Sequence, residues 1–444
     1  MPGLTKADRE LLARAVRLPA ASSGHSKAGP DKTVQPLGAA LDFETLPGYA
    51  EQRLLRTAAT AMGLRNPYFL EHEGEGGATT IVGSRQLSNF SSYDYLGLNR
   101  AETVRAAAHA AIDRYGVSAS ASRLVAGERP VHRALESALA DHYRRQACLT
   151  FVSGHAANVA TIGALLGPRD LLVHDSLAHN SIVMGAVMAH CERRAFPHND
   201  MAALDALLAS LRGRYERALI VAEGLYSMDG DLCDLPALIA MKERHGAWLM
   251  IDDAHGLGVL GASGAGVFEH FGIDTNRVDI WMGTLSKTLA ACGGYIVGAE
   301  TLIGYLRNSA GGFVYSVAMP PVVAAAALAA LEALRAQPWR VARLQANSQR
   351  FSTAARAAGL DLGASGGHAI VPVMTGSSLR AVVLSERLFE RGINVQPIIH
   401  PAIPERLARL RFFVSSEHTV DQIDDAVRIV AEELPKVSAP TAVA

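Results

Sequence analysis

The feature that most restricts the fold is a rhythm that begins near Cys148. Short apolar runs at 148–152, 171–174, 218–222, 248–251, 278–282 and 295–297 alternate with loops and with helical patterns at 157–166, 201–217 and 235–245. Runs this short and this uniformly apolar suit strands buried on both faces. Alternating with helices, they require a mainly parallel sheet covered on both sides, an α/β architecture. Ligands of such sheets sit beyond the carboxyl ends of the strands, so the polar residues after each run are where chemistry is expected.

The run 278–282 ends in Gly283-Thr-Leu-Ser-Lys287. A lysine just past a buried strand is partly desolvated, which brings its neutral, nucleophilic form within reach near neutral pH. The hydroxyls of Thr284 and Ser286 suit an anion such as a phosphate. Amine plus phosphate cradle is what pyridoxal phosphate (PLP) requires. Alone, the turn fits a surface lysine in a polar loop equally well. The other strand ends decide the matter. The run 248–251 delivers Asp252-Asp-Ala-His255, and a carboxylate there is costly unless something cationic meets it. A pyridinium nitrogen would do so. Asp252 and Lys287 lie about one strand-crossover-strand unit apart and can reach adjacent strand ends. Further strand ends carry Glu223 to Ser227 and Asp231, His179-Asn-Ser181, and Ser153-Gly-His-Ala-Ala-Asn158, where a glycine precedes a helix in a ready phosphate site. Gly256 to Gly261 satisfies GxGxxG literally, but it neither follows the strand directly nor opens a good helix, so dinucleotide binding is rejected.

A chain of 444 residues, 49% hydrophobic and 19% charged, is long enough for two or more domains. A net charge of -1 without charged runs gives no sign of nucleic-acid binding. Four scattered cysteines read as free thiols of a reducing compartment. No apolar stretch approaches the roughly 20 residues of a membrane span, and no signal-peptide pattern opens the chain. A soluble cytoplasmic enzyme is expected. Residues 1–42 read as a tail and linker, with a helical candidate at 6–16 and a polar Gly/Pro stretch at 21–30. Residues 43–95 hold an amphipathic stretch at 43–62 and two short strands around Gly83-Ser84, and are expected to pack with the small domain. Residues 96–330 form the expected large domain that binds the cofactor, with a helix at 102–114 and a small-residue run at 116–127. His132 and Glu136, at i,i+4, read as a structural pair. Residues 331–444 form the expected small α+β domain, with strands near 370–374, 395–399 and 410–414, a helix at 379–391 and a final amphipathic helix.

The motifs SSYDYLGL, SGHAAN, DSLAHNS, EGLYSMDGD, DDAHGLGVLG, TLSK and ARLRFFVSSEH follow one another along the chain. In this order they resemble the α-oxoamine synthase family of fold-type I PLP enzymes, over residues 43 to 436. The resemblance implies that Lys287 carries PLP as a Schiff base and serves as the proton-transfer base. Asp252 would pair with the pyridine nitrogen, His179 would stack on the ring, and His255 and Ser227 would bond the phenolic oxygen. The amides of Gly154 and His155, with Thr284, would bind phosphate, and Ser316 would reach in from a partner subunit of a homodimer with shared sites. Arg411 would grip the amino-acid carboxylate. Tyr93 stands where many members have Asn, which leans toward serine or alanine with a longer acyl chain over glycine with a short one. The implied reaction is a decarboxylative Claisen condensation of an amino acid with an acyl-CoA or acyl carrier protein, giving an α-amino ketone, CO2 and free thiol. No metal is implied. His155 replaces a usual aromatic, Asp253 a usual glutamate, and the run before Gly127 is Ser/Ala-rich where the family is glycine-rich. NPYFLEHEG, FPHND and WMGTLSK resemble members encoded beside polyketide assembly lines, where the opening helix would be a docking element for a carrier protein. Two other readings compete: a PLP-dependent aminotransferase, which needs no thioester, and a non-catalytic partner subunit of a heterodimeric synthase. The joint presence of Lys287, Asp252 and His179 argues against the second.

Overall fold

A computed structural model describes residues 42–46, 48–49, 52–53, 57, 60 and 63–437. The helical candidate at 6–16, the stretch at 21–30 and part of the amphipathic stretch 43–62 lie outside the described residues. β1 (Thr79–Val82) and β2 (Arg85–Asn89) pair antiparallel across Gly83-Ser84, the expected hairpin.

The central sheet has seven strands: β3 (Ala147–Phe151), β4 (Leu171–Asp175), β5 (Glu192–Phe196), β6 (Ala218–Glu223), β7 (Trp248–Asp252), β8 (Ile280–Thr284) and β9 (Gly294–Gly298). Their spatial order is β3-β9-β8-β7-β6-β4-β5. Only β9 runs against its neighbours β3 and β8. The reason is length, because the connection 285–293 is too short for the crossover a parallel partner demands. Alternate residues of each strand enter separate cores. Ile220, Ile251 and Trp281 pack on one face, and Leu219, Met250 and Met282 on the other. Between β4 and β6 two elements were not expected from sequence. One is β5, whose Glu192, Arg193 and Arg194 break the apolar pattern because it is an edge strand pairing only with β4. The other is the helix Asn180–Ala189. The expected helix 201–217 stops at Leu211.

The helices Pro321–Ala336 and Pro338–Ala357 lead to β10 (Ile370–Met374), the helix Ser378–Glu390, β11 (Ile393–Asn394), β12 (Pro397–Ile398), β13 (Arg409–Phe413) and the helix Val420–Glu433. The expected strand 395–399 is reduced to β12, and β11, just before it, belongs to another sheet. β11 extends the N-terminal hairpin through β2, and β12 pairs with β13. His132 and Glu136 are both structural but do not bond each other. His132 caps its own helix at the Arg129 amide and reaches Met319 O, while Glu136 binds Arg123 and the Thr150 amide. Residues 256–261 open no helix of more than four residues, in keeping with the rejected dinucleotide reading.

One glycine joins sheet to site. A Cβ on Gly294 would lie 2.6 Å from Gly154 Cα and 2.7 Å from Gly154 N. The start of β9 therefore rests directly on the first turn of the helix Gly154–Leu165. Gly294→Ala is expected to lower the unfolding free energy by about 1–3 kcal/mol, the usual cost of overpacking. Gly304→Ala, in a helix with open space around it, should instead stabilise by about 0.5–1 kcal/mol. Urea unfolding of the two variants checks both signs.

Candidate active site

The carboxyl ends of β4, β6, β7 and β8 bring His179, Ser227, Asp252, His255 and Lys287 together. Asp252 closes β7 and is 5% exposed. Its Oδ2 accepts from Asn158 Nδ2 at 2.8 Å and its Oδ1 from the Ala254 amide at 3.1 Å. No lysine or arginine forms an ion pair with it among the described residues. Glu223 stands directly opposite on β6, in register with Asp252. Its Oε2 accepts from the Ser227 amide at 3.2 Å, and its Oε1 is buried without a partner. Burial, reinforced by Asp252, pushes the Glu223 carboxyl up to about 8. Burial pulls the Lys287 ammonium down to about 8, with Asp252 and Glu223 opposing and Arg411 assisting. The expected nucleophilic amine is thus poised where its neutral form is populated near neutral pH.

The two imidazoles are held neutral. Burial lowers His179, with Lys287 and His155 adding to the effect and Asp252 opposing it. Burial drives His255 well below the ordinary histidine value, with Lys287, Arg411 and His179 adding. Tyr93 lies with its ring centre 5.9 Å from Lys287 Nζ and presents edge contacts to His255 and Phe413.

The phosphate end is equally compact. β8 runs on to Thr284, two residues past the expected strand end, so Thr284 is fixed by the sheet. Its Oγ1 donates to Gly293 O at 2.9 Å and lies 2.7 Å from Ser286 Oγ. Opposite is the N-terminus of the helix Gly154–Leu165, where a Cβ on Gly154 would come 3.1 Å from Thr284 Oγ1. Ser153 caps the Ala156 amide, leaving those of Gly154 and His155 free for an anion. His155 itself is exposed.

Arg411, on β13, donates from Nη1 to Ser227 O at 2.8 Å, and its Nε is buried without a partner. No carboxylate pairs with it among the described residues. Arg409, two residues earlier, is already neutralised by Asp229. Ser316 sits between exposed Tyr315 and Val317, and no hydrogen bond joins it to these groups among the described residues. Sequence reasoning did not single out Asn158, Ser181, Glu223 or Tyr95 for the site. Asn158 lies one helical turn after Gly154 and Glu223 is the last residue of its strand, so both positions carried a signal.

The residues present fit PLP: a desolvated amine, a buried carboxylate without a bonded cation, and a cradle of glycine, hydroxyl and helix N-terminus. A profile of the family "aminotransferase class I and II" matches residues 85–430. The chain is 41% identical to the 8-amino-7-oxononanoate synthase of Methylococcus capsulatus over 78% of this chain and 89% of that one. It is 40% identical to that of Stutzerimonas stutzeri over 86% and 95%. A serine palmitoyltransferase of S. paucimobilis with a bound PLP–myriocin aldimine superposes with a TM-score of 0.85 at 27% identity, covering 89% of this chain and 99% of that one. The Francisella tularensis 8-amino-7-oxononanoate synthase gives 0.68 at 27% identity, covering 79% and 98%. Fold and site together define a PLP-dependent transferase of fold type I. The chain belongs to the aminotransferase class I and II family, in its α-oxoamine synthase branch, and is an acyltransferase that uses PLP.

A histidine outside the pocket clips its rim. His198, beyond β5, bonds Asp175 at 2.9 Å and Asp231 at 2.7 Å, joining the end of β4 to the loop that follows β6. Burial alone would lower its pKa, but the two carboxylates overcome this and raise it to about 10. A raised folded-state value means the contribution is complete below pH 6.5 and is lost as pH rises through about 10. His198→Gln should therefore flatten the alkaline decline of melting temperature across that window, and a melting series against pH for both proteins checks it.

Proposed function

We propose that the enzyme joins an amino acid to an acyl thioester with loss of CO2, and that the site residues act as the family resemblance implies. The observation that carries this reading is Arg411, a pocket guanidinium with an unspent Nε beside the lysine–aspartate pair, where a substrate carboxylate would sit. PLP, bound through Lys287, supplies the electron sink for breaking bonds at the amino-acid α-carbon. The protein's residues do the rest. Asp252 would keep the cofactor's ring nitrogen protonated, and Asn158 keeps Asp252 aimed. His179 would lie against the cofactor ring, while His255 and Ser227 would donate to its phenolic oxygen. The amides of Gly154 and His155, with Thr284, anchor the phosphate. Lys287 Nζ takes the α-proton and later returns one. In balance, one C–C bond forms to the acyl carbon, the C–S bond breaks to release thiol, and the carboxylate leaves as CO2.

Tyr93 narrows the space beside Lys287 and favours serine or alanine over glycine. The acyl donor is a CoA or carrier-protein thioester, with residues 1–42 as the candidate docking element. A homodimer completes the site through Ser316 of the opposite subunit, and the exposed Leu124, Val125, Tyr315 and Val317 support such an interface. No helix among the described residues is long and apolar enough to cross a membrane. All four cysteines are free, which fits the reducing cytoplasm.

Borohydride treatment of the holoenzyme should leave a reduced pyridoxyl adduct on Lys287, found by peptide mass spectrometry. Its absence would overturn the assignment. Arg411→Ala should raise the KM for the amino acid by about 10- to 100-fold, the loss of a charge-assisted pair. Arg411→Lys should recover little of it, because a point charge does not replace a fork. Turnover without any thioester, with a keto acid as acceptor, would favour an aminotransferase instead.

A further inference from the structure

Two imidazoles flank Lys287, and each has a partner behind it that decides which ring nitrogen keeps its proton. His179 Nδ1 lies 3.2 Å from the Ser181 backbone nitrogen and 2.7 Å from the Ser181 hydroxyl oxygen. A backbone N–H can only donate, so Nδ1 is an acceptor and carries no proton. The Ser181 oxygen itself receives a hydrogen bond from Asn158 Nδ2 at 2.9 Å, which directs the hydroxyl proton toward Nδ1. The second hydrogen of that amide goes to Asp252 Oδ2 at 2.8 Å. One amide therefore grips the ring-nitrogen carboxylate and, through one hydroxyl, the imidazole.

His255 follows the same logic. Its Nδ1 is 2.7 Å from the Tyr95 hydroxyl, and both residues are buried. Burial holds the Tyr95 hydroxyl un-ionised, well above its ordinary pKa. Were the proton on Nδ1, the Tyr95 O–H would be left without an acceptor, at a cost of about 1–3 kcal/mol. Donation from Tyr95 pairs both its hydroxyl and Nδ1, and the Nε2–H is left to face the pocket. In neither ring does Nε2 have a hydrogen-bond partner among the described residues.

We propose that the Asn158–Ser181 pair and Tyr95 are positioning residues that hold His179 and His255 as neutral Nε2–H tautomers. Both rings then offer a donor to the pocket, and neither serves as a base. Proton transfer at the substrate α-carbon is left to Lys287. The charged and titratable groups facing these rings agree with this. His179 faces Asp252, Lys287 and His155, and His255 faces Lys287, Arg411 and His179. Of these only Asp252 favours an imidazolium, and burial outweighs it.

The direct test is nitrogen NMR of the holoenzyme with isotopically labelled histidines, which reads the tautomer of each ring without turnover. The signals are assigned with His179→Asn and His255→Asn. Both rings should report the proton on Nε2 between about pH 6 and 8, where a free histidine would titrate. Tyr95→Phe should give a mixed tautomer at His255, whereas Ser181→Ala keeps the backbone donor to Nδ1 and should only move the His179 Nδ1 signal as the hydroxyl bond is lost, with Ser181→Thr restoring it. The kinetic arm rests on the proposed reaction. Each removal should lower kcat by about tenfold with KM for the amino acid nearly unchanged, as for other residues that orient a reacting group. An Nδ1–H signal in the unsubstituted protein, or a titration of either ring near pH 6.5, would overturn the proposal. So would Ser181→Ala and Tyr95→Phe leaving the nitrogen signals unchanged. If no amino acid and thioester pair turned over, the proposed function would fall while the nitrogen signals still judged the tautomers.

Discussion

A carboxylate placed inside a protein without a bonded cation is a demand on everything near it, and Asp252 makes that demand here. Two N–H donors, from Asn158 and Ala254, hold its oxygens. Isolated burial of an ion is costly, and the same burial strips charge from the neighbours, although Asp252 itself favours the cation at Lys287 and His179 and acts with burial only on Glu223. Glu223 is pushed toward its neutral acid, Lys287 toward its neutral amine, and both imidazoles away from imidazolium. What remains is a pocket with one firmly placed negative charge and a reactive amine beside it. A cationic heterocycle with an aldehyde is the complement of that arrangement.

The sheet makes the arrangement affordable. Because β4, β6, β7 and β8 run parallel, their carboxyl ends open on one side, and residues far apart in sequence converge without long loops. β9 alone reverses, and that reversal packs Gly293 and Gly294 against Thr284 and Gly154. The end of β4 and the loop after β6 are then tied together from outside the pocket by His198 between Asp175 and Asp231. The C-terminal part of the chain adds Arg411 from β13 and, through the β2–β11 pairing, brings the segment bearing Tyr93 and Tyr95 to the same mouth.

Much of this was legible in the chain. Buried parallel strands such as Leu171–Asp175 and Trp248–Asp252 are apolar on both faces, which leaves a signal that needs no partner to read. β5 escaped because an edge strand keeps one side in water and can carry Glu192, Arg193 and Arg194. The stretch 395–399 was read as one strand because nothing local shows that residues 393–394 and 397–398 join different sheets. Asn158 and Glu223 sat inside quoted motifs, yet their bonds to groups at distances of 94 and 4 residues cannot be told apart from sequence. Ser316 remains the exception, since its expected role lies across a subunit boundary that a single chain does not contain.

Residue order by itself determined the alternation of strands and helices, the strand ends that carry chemistry, and the amine and carboxylate that define the cofactor. Those follow from hydrophobic period and residue type, which are local properties. Only the tertiary structure decided which oxygen faces which nitrogen: Asn158 shared between Asp252 and Ser181, Tyr95 behind His255, Glu223 opposite Asp252. Protonation states depend on burial and on partners a few ångströms away, and those distances exist only once the strands have been placed side by side.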